Sequence, residues 1–372
     1  MLTSRIESLS QRMLERGICA AIFSSLPSVR YFSGYTPPIE TGPNPFAPLP
    51  GVVFWSQDMM PTLLLADMES ASDVYEGIQI DTFSSYSIEK PSRAVEDLSA
   101  KLLDRLRKVK PCTVGVELPN IPAAIIDVLR NEFTDFSFCD ISHELSEMRV
   151  IKDDEEIQII RECCELCDIG QEFTKKFAQP GTSELEAFAE VRGEMEVREG
   201  GRLPILADFV SGIRTSEIGG PPSARRMGPG DLVISDLVPR HKGYWGDSCN
   251  TCSVGDPTPQ QRRMLDGIAG ALQEAIEEIR PGLQACELDS FLRTRVRNLG
   301  GTYPHHSGHG VGLTWHEEPR IVPYNKMPLR AGMVIAIEPG IYFEGQWGMR
   351  LEHTVLVTET GAEILTHFQH SL

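Results

Sequence analysis

The strongest constraint on the fold is a pair of acidic residues set among strand-forming residues in the segment DLVISDLVPRHKGYWGDSCNT. Two strand-like runs flank the turn-prone residues Pro-Arg-His-Lys-Gly, which predicts an antiparallel hairpin. If the loop centres on His241 and Lys242, Asp236 lies directly opposite Asp247. A bulge would shift this register by one residue.

A second segment, MVIAIEPGIYFEGQWGMRLEHTVLVT, repeats the pattern. Its predicted loop is Glu-Gly-Gln at 344–346, and the flanking strands then place Glu338 opposite Glu352. The chain is therefore expected to bring four carboxylates together on two hairpins.

Facing acids on antiparallel strands repel each other. Their Cβ atoms are ~4.5–5.5 Å apart. At ~4 Å and an effective dielectric constant of about 20, each pair costs on the order of 4 kcal/mol. Such pairs either face water at a sheet edge or hold a cation between them. Three of the four acids lie in apolar runs (LVISDL, IAIEPGIY and MRLEHTVLV), so a cation is the better explanation.

The segment YPHHSGHGVGLTWHEEP carries four of the nine histidines, interleaved with glycines that allow close backbone approach. A lone histidine is usually structural, but this cluster lies in the same half of the chain as the carboxylates. Four carboxylates and one imidazole suit two adjacent divalent ions. Manganese, zinc, cobalt and iron are all compatible with this ligand set, which does not choose between them; we take manganese as the first candidate. Two such ions activate a bridging water, so the expected chemistry is hydrolysis of an amide-like bond.

The N-terminal part of the chain shows short strands that alternate with helices, which predicts an α/β domain with a mixed sheet. Strands are predicted at 18–24, 51–55, 62–66, 77–83, 113–117 and 136–139, and helices at 91–109 and 121–131. Residues 31–51 are rich in proline, glycine and aromatics and predict a long irregular loop, either functional or a surface connector.

A charged segment, SEMRVIKDDEEIQIIREC, marks a boundary between two predicted domains, 1–148 and 149–372. Beyond it the pattern predicts helices at about 150–178, 184–199, 257–280 and 285–298, with strands at 206–211 and 362–366 around the hairpins.

Composition narrows the partners and the location. Asp and Glu number 53 against 35 Lys and Arg, a net charge of −18, which argues against nucleic acid or an anionic membrane as a partner. No apolar run approaches ~18 residues, so no membrane-spanning helix is expected. The N-terminus lacks the features of a signal peptide, and we expect a cytoplasmic protein.

The nine cysteines are irregularly spaced, and several lie in apolar settings such as ICAAIF and FSFCDI, as reduced, buried thiols would. Packing is the expected role of the two groups of closely spaced cysteines, Cys163, Cys164 and Cys167 in a predicted helix and Cys249 and Cys252 in a predicted strand.

The order of these motifs resembles the pita-bread metallohydrolases, a superfamily that includes prolidase, aminopeptidase P, methionine aminopeptidase and creatinase. The resemblance rests on Asp236, Asp247 eleven positions later, GHGVGLTWHEEP, IEPGIY and R-x-E. RYFSGY and the boundary segment are similar to the creatinase-type N-terminal domain. The resemblance implies an α/β N-terminal domain and a C-terminal pita-bread domain, in which helices cover a curved antiparallel sheet.

The resemblance also implies roles for individual residues. Asp236 and Asp247 would bind one metal ion, His309 and Glu338 would complete the set of the second, Asp247 would be shared and Glu352 would bridge both. Glu338 would also shuttle a proton, and His316 would contact the scissile carbonyl or the tetrahedral intermediate. His305 and Arg350 match positions near the substrate, where they would either bind it or support the ligands.

Three departures from the relatives concern the substrate pocket. A histidine expected eight positions after Ser211 is replaced by Gly219, and Arg214 is one candidate for a substitute donor. Cys249 and Asn250 stand where threonine and arginine are expected, and His353 follows Glu352 in place of an aspartate. The substrate is therefore a small peptide or another amino-acid derivative.

Three functions are consistent with the sequence. The first is a metal-dependent peptidase that cleaves Xaa-Pro bonds, as a dipeptidase or an aminopeptidase. The second is a hydrolase of a small non-peptide C–N bond, of the creatinase or ectoine-hydrolase kind. The third is a non-catalytic binding protein, which an absence of bound metal would favour. The resemblance also implies a homodimer in which the 31–51 loop lines the neighbouring copy's substrate entrance.

Overall fold

A computed structural model describes residues 2–36, 49–71, 73–85 and 87–372. The chain divides into two compact units, Met1–Met148 and Arg149–Leu372. In its described part no helix is both long and apolar enough to span a bilayer.

The first unit is built on a six-stranded mixed sheet. Its strands are β1 (Ile18–Phe23), β2 (Val52–Ser56), β3 (Met59–Ala66), β4 (Gln79–Phe83), β5 (Thr113–Val116) and β6 (Ser137–Asp140). Their order in the sheet is β4-β3-β2-β1-β5-β6. Its helices are α1 (Leu2–Glu15), α2 (Leu26–Ser33), α3 (Ala94–Leu106), α4 (Ala123–Glu132) and α5 (Ser142–Arg149), the last of which ends at the first residue of the second unit. The apolar faces of α3 and α4 pack on the sheet through buried residues such as Leu98 and Leu129.

Two expectations for this unit need correction. Residues 31–33 belong to α2 rather than to the predicted loop, because Ser25 caps that helix and Gly34 ends it at φ 82°; residues 37–48 of the predicted loop lie outside the described residues. Cys19 is not a reduced thiol. It forms a disulfide with Cys112, since both lie where β1 and β5 begin side by side.

The second unit contains antiparallel sheets and four long helices. The helices are α6 (Asp154–Phe177), α7 (Glu184–Glu199), α8 (Pro259–Glu278) and α9 (Ala285–Arg297), with a 3₁₀ helix at Gly212–Glu217. The strands are β7 (Ile205–Ser211), β8 (Leu232–His241), β9 (Tyr244–Trp245), β10 (Ser248–Ser253), β11 (Gly308–Gly310), β12 (Glu317–Ile321), β13 (Val334–Ile337), β14 (Gly340–Phe343), β15 (Trp347–Arg350), β16 (His353–Val357) and β17 (Ala362–Ile364).

Helix starts in this unit follow from local sequence. The side chains of Asp153, Ser183 and Thr258 each accept a hydrogen bond from the amide of the third helical residue, and the side chain of that residue accepts one from the amide of the cap, which is a capping box. These caps set the first residues of α6, α7 and α8.

Two sheets carry the residues of interest. One has the order β10-β8-β7, with β9 paired to β8, and the other has the order β12-β11-β13-β16-β17. Helices α8 and α9 bury Ile268, Leu272 and Leu292 in one apolar cluster with Ile335 and Val355 of the second sheet. This cluster gives the second sheet a packed, rigid base.

Candidate metal centre

A cavity of about 230 Å³ in the second unit collects the candidate residues. It is lined by all eight side chains to which the sequence assigns a role as a metal ligand or as a catalytic or substrate-binding residue: Asp236, Asp247, His305, His309, His316, Glu338, Arg350 and Glu352. Its other lining residues are Asp208, Ile218, Val238 and His306, of which the sequence marked none.

The first hairpin has a different register from the predicted one. Asp236 faces Cys249 rather than Asp247, because the turn is the two residues Lys242 and Gly243. Both have positive φ, 48° and 89°, as a type I′ turn requires. The predicted pairing was thus wrong by two residues. A shift of two preserves the face on which each side chain lies, so both acids still point into the cavity.

The second hairpin has the predicted register. Gly340 pairs with Arg350 near the loop and Ile337 pairs with His353 further away, so Glu338 and Glu352 lie opposite each other between the two paired regions. Both acids are buried.

His309 lies on β11, an interior strand of its sheet, between two glycines whose positions have no room for a side chain. A Cβ on Gly308 would lie 2.1 Å from the carbonyl oxygen of Ala336, and one on Gly310 would lie 2.4 Å from that of Glu318. The neighbouring strands therefore approach closely enough to place the imidazole in the cavity.

The hydrogen bonds of His309 leave one ring nitrogen available as a ligand. Nδ1 lies 3.0 Å from the carbonyl oxygen of Gly310, which can only accept, so Nδ1 carries the proton. Nε2 lies 3.5 Å from both Asp247 Oδ2 and Glu338 Oε1. That spacing suits two ligands of one ion, whose bonds to nitrogen and oxygen are ~2.0–2.2 Å. Burial lowers the pKa of His309 to about 3, so the imidazole is neutral.

Asp236 has one satisfied and one unsatisfied oxygen. Its Oδ2 accepts a hydrogen bond from Arg350 Nη2 at 2.6 Å. Its Oδ1 is buried and has no hydrogen-bond partner within the described residues. Burial raises the pKa of Asp236 to about 6, although Arg350 opposes the shift. An orphaned buried carboxylate oxygen is a feature that a bound cation would satisfy.

Acidic charge in the cavity exceeds basic charge. Five carboxylates and one guanidinium line it. Burial and the neighbouring carboxylates raise the pKa values of Asp247 and Glu352 well above the ordinary carboxyl value. Three groups of residues each offer potential ligand atoms that lie within 4.8 Å of one another: Asp247 with His309 and Glu352, Asp236 with Cys249 and Glu352, and His306 with His309 and His316. The donor set therefore fits divalent cations.

Glu338 is the acid that stays ionised most readily, and His306 is the main reason. Burial opposes ionisation, but the hydrogen bond from His306 Nε2 to Glu338 Oε1, 2.8 Å long, and the nearby imidazoles hold the pKa of Glu338 below its ordinary value. The same contact outweighs burial and raises the pKa of His306. His306 was not among the residues predicted to act in the site, although its position three residues before His309 was a usable signal.

His316 is exposed at the cavity, with its ring centroid 4.0 Å from that of His309. Its loop is anchored by the next residue, Glu317, which forms a buried ion pair with Lys152 and accepts a hydrogen bond from Thr314. The side chains of Lys152 and Glu317 are only 1% and 7% exposed. The pair therefore fixes the loop that carries His316.

Comparison with known proteins identifies the family. The description "Metallopeptidase family M24" matches residues 158–359, more than half of the chain, and "Creatinase/Prolidase N-terminal domain" matches residues 5–151. The chain belongs to metallopeptidase family M24. The resemblance predicted from the sequence is confirmed, and the M24 chain is a peptidase-type enzyme.

Relatives match this M24 peptidase over its whole length. Xaa-Pro dipeptidase of Pyrococcus horikoshii is 30% identical over 100% of this chain and 99% of its own, and that of Pyrococcus furiosus is 31% identical over 100% of both. The crystal structure of the prolidase from P. horikoshii has a TM-score of 0.84, 28% identity and 99% coverage of each chain. The X-Pro aminopeptidase from Thermotoga maritima has a TM-score of 0.81, 26% identity and 98% coverage of each chain. The predicted fold class is confirmed.

In this M24 peptidase, Asp208 occupies the space next to Gly219, which stands where the resemblance predicts a histidine. A Cβ on Gly219 would lie 1.9 Å from Asp208 Oδ2. Arg214, suggested as a substitute donor, is instead turned to the buried Glu184 and to Pro221, and it does not line the cavity. That suggestion was wrong, because the 3₁₀ helix directs the guanidinium away from the site.

The structure also bears on two roles left open by the sequence. The ring nitrogens of His305 both have protein partners: Nδ1 donates to the carbonyl of His306 at 2.8 Å, and Nε2 accepts from the hydroxyl of Tyr342 at 3.0 Å. Arg350 is 3% exposed and contacts two acids of the cavity. This geometry favours support of the ligands over direct substrate contact for both residues.

Cys249 packs in an apolar cluster with Val210, Ile234 and Tyr342, as predicted, but its position has a second consequence. Its sulfur lies beside Asp236 and Glu352. Burial raises the pKa of the Cys249 thiol well above its ordinary value, and Asp236 and Glu352 act in the same direction. The thiol therefore stays protonated while no cation is bound.

Proposed function

We propose that the chain is a metallopeptidase that hydrolyses Xaa-Pro bonds in small peptides with two divalent ions. One observation carries the proposal: a single cavity brings together five ligand-type side chains from two sheets, with one buried carboxylate oxygen left unsatisfied within the described residues. The names of the full-length relatives, Xaa-Pro dipeptidase and prolidase, supply the substrate class.

Asp236, Asp247, His309, Glu338 and Glu352 would hold the ions. Glu352 belongs to both of the groups of clustered ligand atoms that contain carboxylates, which supports its role as the bridging ligand. Asp247 lies with His309 in one group, and Asp236 lies in the other. Manganese remains our first candidate, with zinc, cobalt and iron compatible.

When bound, the ions supply an activated water and polarise the scissile carbonyl. The remaining steps fall to the protein. Glu338 accepts the proton of the attacking water, and the hydrogen bond from His306 keeps its carboxylate ionised for that purpose. His316, exposed at the cavity and held by the Lys152–Glu317 pair, is placed to donate to the oxygen that gains charge in the transition state.

Arg350 serves the reaction through Asp236. Its guanidinium donates to Asp236 Oδ2 and so fixes the carboxylate with Oδ1 directed away from that contact. The Arg350 amide in turn donates to Thr251 at 3.0 Å, which holds β15 against β10. The ligand geometry is therefore built into the backbone of two strands.

The test is release of proline from alanyl-proline by purified protein that has been stripped of metal and reloaded separately with Mn²⁺, Co²⁺ and Zn²⁺. Alanyl-alanine serves as the control substrate and Asp247→Asn as the control variant. We expect metal-dependent release of proline, little cleavage of alanyl-alanine, and loss of both metal and activity in the variant. No metal-dependent turnover of any Xaa-Pro substrate contradicts the proposal.

Two further expectations remain predictions. The chain is expected to form a homodimer, which light scattering at working concentration would test. A cytoplasmic location is expected from the sequence, which fractionation of the source cells would test.

A further inference from the structure

Asp208 is an acid of the cavity that the proposed function does not use. It lies on β7 directly opposite Asp236 on β8, so both side chains are on the same face of the sheet. Its side chain is 36% exposed, against 16% for Asp236, 7% for Glu338 and 5% for Asp247. Asp208 is therefore the most accessible of these carboxylates.

The absence of a side chain at Gly219 leaves room for the Asp208 carboxylate. The Oδ2 atom of Asp208 lies where a side chain at Gly219 would begin, since a Cβ there would be 1.9 Å from it. Oδ1 accepts a hydrogen bond from the amide of Gly220 at 2.8 Å. A residue with any side chain at position 219 is thus incompatible with Asp208 in this position.

Ile218, the residue before Gly219, contacts Arg350 through an unusual backbone conformation. Ile218 has φ 77°, a left-handed conformation that β-branched residues rarely adopt. In this conformation its carbonyl oxygen accepts a hydrogen bond from Arg350 Nη1 at 2.8 Å. Strain of this kind persists where surrounding contacts hold it, and it is common at binding sites.

Asp208 still has capacity to bind. Arg350 Nη2 donates to Asp208 Oδ2 at 2.8 Å and also to Asp236 at 2.6 Å, so one guanidinium is shared by two carboxylates. An ionised carboxylate offers about four acceptor positions, and the contacts described use one on each oxygen of Asp208. Excess negative charge and free acceptor positions therefore remain at the accessible edge of the cavity.

We propose that Asp208 binds the α-ammonium group of the substrate at this edge of the cavity. This inference rests on the proposed function. Facing residues on paired strands are ~4.5–5.5 Å apart, so Asp208 is close to the candidate ligand Asp236. In an Xaa-Pro dipeptide the α-nitrogen is two bonds from the scissile carbonyl carbon and can reach this edge. The substrate carboxylate, in contrast, is repelled by Asp208.

The test compares alanyl-proline with propionyl-proline, which has the same shape but lacks the amine. The ratio of their kcat/KM values is measured for the wild type, for Asp208→Asn and for Asp231→Asn. The last is a matched control, because Asp231 forms an ion pair with Arg225 outside the cavity. Metal content and thermal unfolding are recorded for each protein, and Asp208→Ala replaces the asparagine variant if that variant does not fold.

We expect the wild type to prefer alanyl-proline and Asp208→Asn to reduce the ratio by ~10- to 100-fold, the contribution of a charge-assisted hydrogen bond. The Asp231→Asn control should keep the wild-type ratio. Equal losses for both substrates, or an unchanged ratio, overturn the proposal, because Asp208 would then act only through Arg350 or not at all.

A binding arm separates failure of this inference from failure of the proposed function. Titration of metal-free protein with alaninamide and with propionamide requires no turnover. Tighter binding of alaninamide by the wild type than by Asp208→Asn supports the inference even if no Xaa-Pro substrate is cleaved. Equal binding of alaninamide by the two proteins, or no binding by the wild type, refutes it.

Discussion

Replacing Asp236 by asparagine should stabilise the metal-free protein at neutral pH and reduce the stability that it gains from metal. Burial raises the pKa of Asp236 from 3.8 to about 6, so the folded protein resists ionisation of this carboxyl group. Each pKa unit corresponds to about 1.4 kcal/mol. Ionised Asp236 therefore costs the folded state on the order of 3 kcal/mol at pH 7, and asparagine avoids that cost.

The pH window follows from the direction of the shift. A carboxyl group with a raised pKa in the folded state keeps its proton there while the unfolded chain releases it, so the stability of the wild type falls relative to the variant as pH rises from 3.8 to about 6. The advantage of Asp236→Asn should be near zero at pH 4 and fully developed at pH 7.

The assay is equilibrium unfolding in urea at pH 4, 5, 6 and 7, with and without Mn²⁺, for the wild type and Asp236→Asn. Asp231→Asn again controls for the loss of an aspartate paired with arginine. At a hundred times its Kd, metal adds ~3 kcal/mol to the free energy of unfolding of the wild type. The variant should lose the part of this gain that comes from the ion beside Asp236. A variant that is less stable than the wild type at pH 7 without metal would refute the reasoning.

Three further outcomes are expected. Gly219→Ala should lose ~1–3 kcal/mol of unfolding free energy through its clash with Asp208, and Asp208→Ala in the same chain should restore it, as denaturation curves will show. Glu317→Gln should lose ~3–5 kcal/mol because it leaves Lys152 buried without its ion partner. His306→Gln should raise the pKa of the carboxylate that it contacts and so move the acidic limb of the kcat/KM profile to higher pH; an unmoved limb would contradict that role.

The sequence predicted the ligand-bearing half well where local patterns decide the structure. The Glu-Gly-Gln loop predicted the register of the second hairpin, and the pairs that flank Glu338 and Glu352 have that register without a bulge. In the first hairpin several turns fitted the same residues, and the observed one requires positive φ at Lys242, a conformation uncommon for lysine. The predicted register was wrong by two residues. Because side chains alternate between the two faces of a strand, the prediction of which face carries the acids was still correct.

What the sequence could not show depends on contacts between distant segments. The approach of Asp208 to Gly219 joins a strand to a loop eleven residues away, and neither residue has a local pattern that marks the contact. The disulfide between Cys19 and Cys112 likewise follows from the pairing of β1 with β5, which periodicity does not specify. The absence of the family histidine was visible in the sequence, but the position of Asp208 beside Gly219 was not.

The most direct test of the proposed two-metal centre is anomalous diffraction at the manganese absorption edge from crystals grown with Mn²⁺. We expect two peaks within the cavity, one beside Asp236 and one beside His309, with Glu352 next to both. No peak in the cavity, or a single peak at saturating metal, would contradict the proposed two-metal centre.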